Sequence, residues 1–226
     1  MKLIQTTIAA ALSLTMLGAH AHQGEHKGGI KSAPAKAVKA PFDIHHTRIT
    51  TEGNVATFHV AVSGKAGASK PGKTGKLAGS KVFSYVWPTT MDPSTVGFER
   101  GAGILAFAVT SHPDFDDTPL YDENGDGKLD NDGDLWHSHW VVLQPNEACG
   151  AGKLGVVDIP EGAKPKLPAT WPGAPIYIDS PGYDLSVKND AAQIRVPLSA
   201  VGFPKSFNYD GVTAAQLDLD RGGQHR

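Results

Sequence analysis

The chain has a single cysteine, Cys149, among 226 residues. One thiol closes no internal disulfide, so stability has to come from an apolar core or a bound ion. A lone cysteine usually packs as a small apolar side chain, and Cys149 is expected to be buried rather than to act as ligand or nucleophile. Long apolar runs are also missing, because the one sustained stretch, "IAAALSLTML" at 8–17, is too short to cross a bilayer. An excess of either charge is missing too, with 21 Lys and Arg against 23 Asp and Glu, and the net −2 argues against general nucleic-acid binding. No H-E-x-x-H, G-x-S-x-G or Walker loop occurs, nor a cysteine followed by the close His and Met of a blue-copper site. No substrate or reaction is therefore written in a motif. Internal repeats are absent, and 26 Gly with 16 Pro exclude helices of more than a few turns.

What is present begins with an export signal. Lys2, the apolar run and "GAHA" form the three regions of a secretory signal peptide, with Ala19 and Ala21 as the A-x-A site. Cleavage is expected after Ala21, giving a periplasmic or secreted chain without a membrane span. Residues 22–40, rich in Lys, Ala, Gly and Pro, hold too little apolar surface to order themselves and read as a flexible leader. A single domain is expected over 41–226, about 205 residues remaining in the mature chain, which suffices for one large core.

Within that domain the patterns are those of strands. "IHHTRITTEGNVATFHVAVSG" is two alternating runs broken at Glu52-Gly53-Asn54, a hairpin. "GKAGASKPGKTGKLAGSK" follows as an exposed and mobile loop. "VFSYVW", "GILAFAVTS", "LWHSHWVVL", "LGVVDI", "PIYID", "AQIRVPL" and "GVTAAQLDL" are short, β-branched or aromatic, and bounded by turn residues. About nine such segments predict an all-β, antiparallel β-sandwich of the Ig-like or jelly-roll-like kind, with a barrel as the alternative. Tyr85, Trp87, Trp136, Trp140 and Trp171 are expected mainly in its core. The closing phrase "AAQIRVPLSAVGF…YDGVTAAQLDLD" resembles the last strands of DOMON-like and carbohydrate-binding sandwiches. That resemblance implies the fold; haem or sugar binding would follow from it by analogy alone.

Residues 112–134, "HPDFDDTPLYDENGDGKLDNDGD", are a long connection with nine carboxylates and one cation, Lys128. Such a loop needs a counter-charge to be ordered. Its second half is similar to the calcium loops of EF-hand and dockerin-like repeats. Asp122, Asn124 and Asp126 fall at positions 1, 3 and 5, Gly127 at the sharp turn, and Lys128 offers its carbonyl at position 7. Position 12 is Gly133 instead of Glu, so Asp130, Asp132 or Asp134 would have to close the shell. Calcium is the ion this resemblance implies, held weakly.

The strand "WHSHW" places His137 and His139 on one face, since side chains alternate. If the strands flanking the acidic loop pair antiparallel, His112 and Asp114 arrive beside them. His112, Asp114, His137 and His139 are accordingly the expected ligands of a transition ion, zinc, copper or iron. Two other outcomes stay open: a non-catalytic, calcium-stabilised module binding a ligand or carbohydrate, or an adhesion module; and a metalloenzyme using the same histidines. His59 is expected to be a structural residue. No protein or small-molecule partner is legible.

Overall fold

The computed structural model describes residues 28–76, 78–115, 122–204, 209 and 212–218. The expected signal peptide, its cleavage point and His22 lie outside the described residues. Among the described residues, thirteen strands follow in chain order. The first six are β1 (Ile30–Lys31), β2 (Ile44–Glu52), β3 (Val55–Val62), β4 (Thr74–Gly75), β5 (Lys81–Pro88) and β6 (Ile104–Ser111). Then come β7 (Asp114–Phe115), β8 (His137–Pro145), β9 (Leu154–Val156) and β10 (Ile178–Asp179). The chain closes with β11 (Asp184–Lys188), β12 (Ala191–Pro197) and β13 (Thr213–Asp218). Helical turns among the described residues are short 3-10 turns only, as the density of Gly and Pro requires.

Eleven of these strands form two antiparallel sheets and β4 with β7 a small parallel pair, so the expected all-β architecture is observed, consistent with a β-sandwich. One sheet runs β1-β2-β3-β12-β11, the other β10-β8-β6-β5-β13 with β9 added on β8. The hairpin expected at Glu52-Gly53-Asn54 joins β2 to β3, with Glu52 opposite Val55 and Gly53 at φ 55°. Period-2 alternation sets the layers. Ala56, Phe58 and Val60 of β3 face Leu105, Phe107 and Val109 of β6 across a buried core. Phe107 anchors it, its ring centroid 4.6 Å from Phe58 and 4.7 Å from Trp140. Trp87 donates its indole N–H to Thr47 Oγ1 at 3.0 Å, so even this buried ring is satisfied. Tyr85, Trp87 and Trp140 are core residues as expected, whereas Trp171 is 36 % exposed.

Three expectations are corrected. Ordered chain begins before Pro41: β1 pairs with β2, and both oxygens of Asp43 accept from Ala35 N–H at 3.0 Å. An edge strand is held by backbone bonds, which a composition poor in apolar residues does not forbid. Cys149 is exposed, at the end of a 3-10 turn between β8 and β9. The Lys-rich loop after β3 is tied down, because β4 within it pairs parallel with β7 of the acidic loop.

Candidate metal centre

The outer face of the second sheet carries the site. Along β8, Trp140 and Val142 point into the core, which turns His137, His139 and Val141 outward. β6 and β8 are antiparallel neighbours, with Thr110 opposite His137 and Ala108 opposite His139. His112 follows the last residue of β6, and its backbone N–H bonds Gly133 O at 3.3 Å, pinning both ends of the acidic loop together. Its ring stacks on Phe115 at 5.1 Å. His112, His137 and His139 thus meet, each offering a ring nitrogen within 4.8 Å of the others.

Backbone carbonyls orient all three rings. His112 Nδ1 faces Pro113 O at 2.8 Å, His137 Nδ1 faces Leu135 O at 2.9 Å, and His139 Nδ1 faces Asp179 O at 3.1 Å. Ser180 Oγ stands at 3.1 Å from the same His139 nitrogen. A carbonyl oxygen only accepts, so each Nδ1 carries the ring proton and each Nε2 presents a lone pair. The Nε2 atoms of His112 and His137 are 3.0 Å apart, while His139 Nε2 is buried without a hydrogen-bond partner. Two lone pairs facing each other at that distance repel unless a cation lies between them. Metal–nitrogen bonds of about 2.0 to 2.1 Å put two nitrogens of one ion about 2.9 to 3.4 Å apart, which this spacing matches.

Electrostatics point the same way. Burial is the main cause that lowers the pKa of each ring. It takes His139 down to about 3 with the help of His112, and His137 well below the ordinary imidazole value with the help of His139 and His112. Burial also lowers His112, against the opposing pull of Pro113 O and Asp114. At neutral pH all three are neutral, the form that ligates.

The carboxylates arrange themselves differently from the sequence expectation. Asp114 does not join the imidazole group; its oxygen clusters with Glu123 and Asp132, three carboxylates with ligand atoms within 4.8 Å of one another. Asp114 Oδ2 accepts from the backbone N–H of Asp132 at 3.2 Å and Gly133 at 2.9 Å. The two groups adjoin, with Glu123 Oε1 3.7 Å from His137 Nε2. Burial, with Asp132 and Asp114 beside it, pushes the Glu123 carboxyl up to about 8.

Of the expected calcium-type set, Asp122 and Asp126 turn their oxygens onto the loop's own backbone. Asp122 accepts from Gly125, Asp126 and Gly127, and Asp126 Oδ1 from Lys128, at 2.6 to 3.1 Å. Asn124 Oδ1 accepts from Asp126 N–H at 2.8 Å, and Asp130 is exposed. Asp132 alone of that set points into a cluster, and Asp134 pairs with Lys70 at 3.3 Å. Position 12 is glycine for a steric reason: a Cβ on Gly133 would collide with the backbone nitrogen of Asp114. Sequence reasoning missed Glu123, which sits between ligand positions 1 and 3 of the calcium register and should face away from them. It does, and that direction is inward, onto His137. His59 belongs to the other sheet, its ring 5.5 Å from His46 and remote from this group.

The chain matches no protein-family model, no curated protein and no solved structure. The all-β fold and two residue groups able to hold a metal are therefore what the molecule itself establishes.

Proposed function

We propose that this is an exported metal-binding β-sandwich in which His112, His137 and His139 hold one transition ion, zinc, copper or iron. One observation carries the reading: a ring nitrogen from each of the three histidines lies within 4.8 Å of the others while every Nδ1 faces a backbone carbonyl. Carbonyl-anchored imidazole is how proteins orient histidine ligands from behind. Nitrogen donors with a nearby carboxylate suit borderline ions and give calcium little to bind. Calcium is proposed only for the acidic loop, where it would add to the lysines at the rim. Export rests on the signal pattern at residues 1–21.

Metal analysis of protein purified without a His-tag tests the centre. One equivalent of zinc or copper per chain is expected, lost in His139→Ala. Wild-type protein that takes up none at neutral pH would remove the proposal. Intact mass of the exported product tests the compartment, with a chain starting at His22 as the expected result.

A further inference from the structure

The carboxylate group beside the histidines has its own unmet chemistry. Asp114 is 5 % exposed, Asp132 2 %, and the side chain of Glu123 3 %. Acidic clusters on a loop are common without an ion, and proximity alone would mean little. Here, however, Glu123 Oε2 and Asp132 Oδ1 are closed off from solvent and take no hydrogen bond beyond what a proton shared by the two carboxyls would make. The nearby donors are committed elsewhere: Asn124 N–H serves Asp132 Oδ2 at 2.7 Å, and the Asp132 and Gly133 N–H groups serve Asp114 Oδ2. Lysines reach only the rim, Lys70 to Asp134 and Lys73 Nζ to Asn131 O at 3.2 Å. Without an ion these buried carboxyls can meet the cost of burial only by sharing a proton between Glu123 and Asp132, which lie within hydrogen-bonding reach, and a divalent cation would take that proton's place.

We propose that Asp114, Glu123 and Asp132 form a second cation site, lined by oxygen and fitted to a hard divalent ion, and that Glu123 bridges it to the three-histidine site. Donor chemistry separates the two sites, since carboxylates alone favour ions of the calcium, magnesium and manganese class and imidazoles favour softer ones. Glu123 reaches toward the histidines through Oε1, 3.7 Å from His137 Nε2, and leaves Oε2 free for the second ion. Paired-ion centres hold their metals about 3.5 to 4 Å apart, a separation one bridging carboxylate spans. The bridge rests on the proposed histidine centre; the carboxylate site does not need it.

Manganese is the probe, added to untagged, metal-free, full-chain protein and followed by electron paramagnetic resonance. One Mn²⁺ per chain should bind, and Asp132→Asn should weaken it by more than about tenfold while zinc uptake stays unchanged. Glu123→Gln should weaken both ions, and Asp114→Asn serves as the alternative if Asp132→Asn misfolds by circular dichroism. His139→Ala should abolish zinc and leave manganese in place. With Cu²⁺ in the histidine site the manganese signal should broaden through magnetic coupling; with diamagnetic Zn²⁺ it should not. Manganese binding that ignores Asp132→Asn and Asp114→Asn, or that vanishes in Asp122→Asn/Asp126→Asn instead, would overturn the second site. Binding without copper-induced broadening would overturn the bridge. If manganese behaves as expected while zinc and copper fail to bind, the second site stands and the histidine centre falls.

Discussion

Histidines occur on the outer faces of both sheets, and among the described residues only one group of them is built as a ligand set. On the first sheet His46 Nε2 faces the Gly28 carbonyl at 3.1 Å, so its outward nitrogen is spent on a backbone bond. His59, beside it, is lowered by burial and by the charge of Arg48, a cation that would repel any metal. On the second sheet three rings turn their Nδ1 protons backward onto carbonyls and their lone pairs toward one point. The number of imidazoles does not distinguish the two faces. What distinguishes them is convergence: His59 also keeps a buried, unpartnered Nδ1, but no metal-binding group forms around it among the described residues.

The largest expected effect breaks that contrast directly. His137→Ala and His139→Ala should each weaken zinc or copper binding beyond the roughly 10- to 100-fold cost of losing an outer-shell partner. The double substitution should be little worse, because both residues serve one ion. His46→Ala and His59→Ala should leave metal content unaltered. Equilibrium dialysis with each variant checks this.

Next comes stability. An ion that binds only the native state at 100 times its Kd adds about 2.7 kcal/mol, worth roughly 5 to 10 °C in a domain of this size. Scanning calorimetry with zinc should show that rise in wild type and none in His139→Ala.

The metal-free protein should also show a pH signature. Unfolded histidine binds its proton near 6.5, whereas folded His139 does so only near 3 and His112 and His137 lie below the ordinary value. In that window the unfolded chain holds more protons, so stability is lost as pH falls below about 6.5. Glu123 works oppositely. Its folded value near 8 against an ordinary 4.5 makes the native state hold more protons, so its contribution is full below about 4.5 and lost as pH rises through 8. Urea unfolding should therefore peak near pH 6, and Glu123→Gln should flatten the alkaline side while keeping the acid one.

The smallest effect belongs to the rim. Lys70–Asp134 is a partly exposed pair, and Lys70→Ala should cost no more than about 1 kcal/mol and leave metal binding intact. A large loss there would mean that the lysines, rather than an ion, neutralise the loop.

Alternation made the sheets legible: β2, β3, β5, β6, β8 and β12 fall where β-branched and aromatic runs stand between turn residues. The same period placed His137 and His139 on one face, and antiparallel pairing brought His112 to them. β1, β4 and β7 carry two residues each and are held by backbone bonds, which leave no side-chain pattern to read. Counter-charge from Lys70 depends on that β4–β7 pairing, so it too was hidden. Glu123 escaped for another reason. A calcium register sorts a loop into ligand and non-ligand positions by one turn geometry, and this loop uses both sides: Asp122 and Asp126 cap its backbone while the residue between Asp122 and Asn124 points inward.

X-ray absorption at the metal edge of zinc-loaded, untagged protein tests the central claim most directly. Three imidazole nitrogens at about 2.0 to 2.1 Å are expected, with a carboxylate oxygen completing the shell. The imidazole scattering pattern should be lost in His137→Ala/His139→Ala. A shell of oxygens alone, or a spectrum that survives both substitutions unchanged, would contradict it.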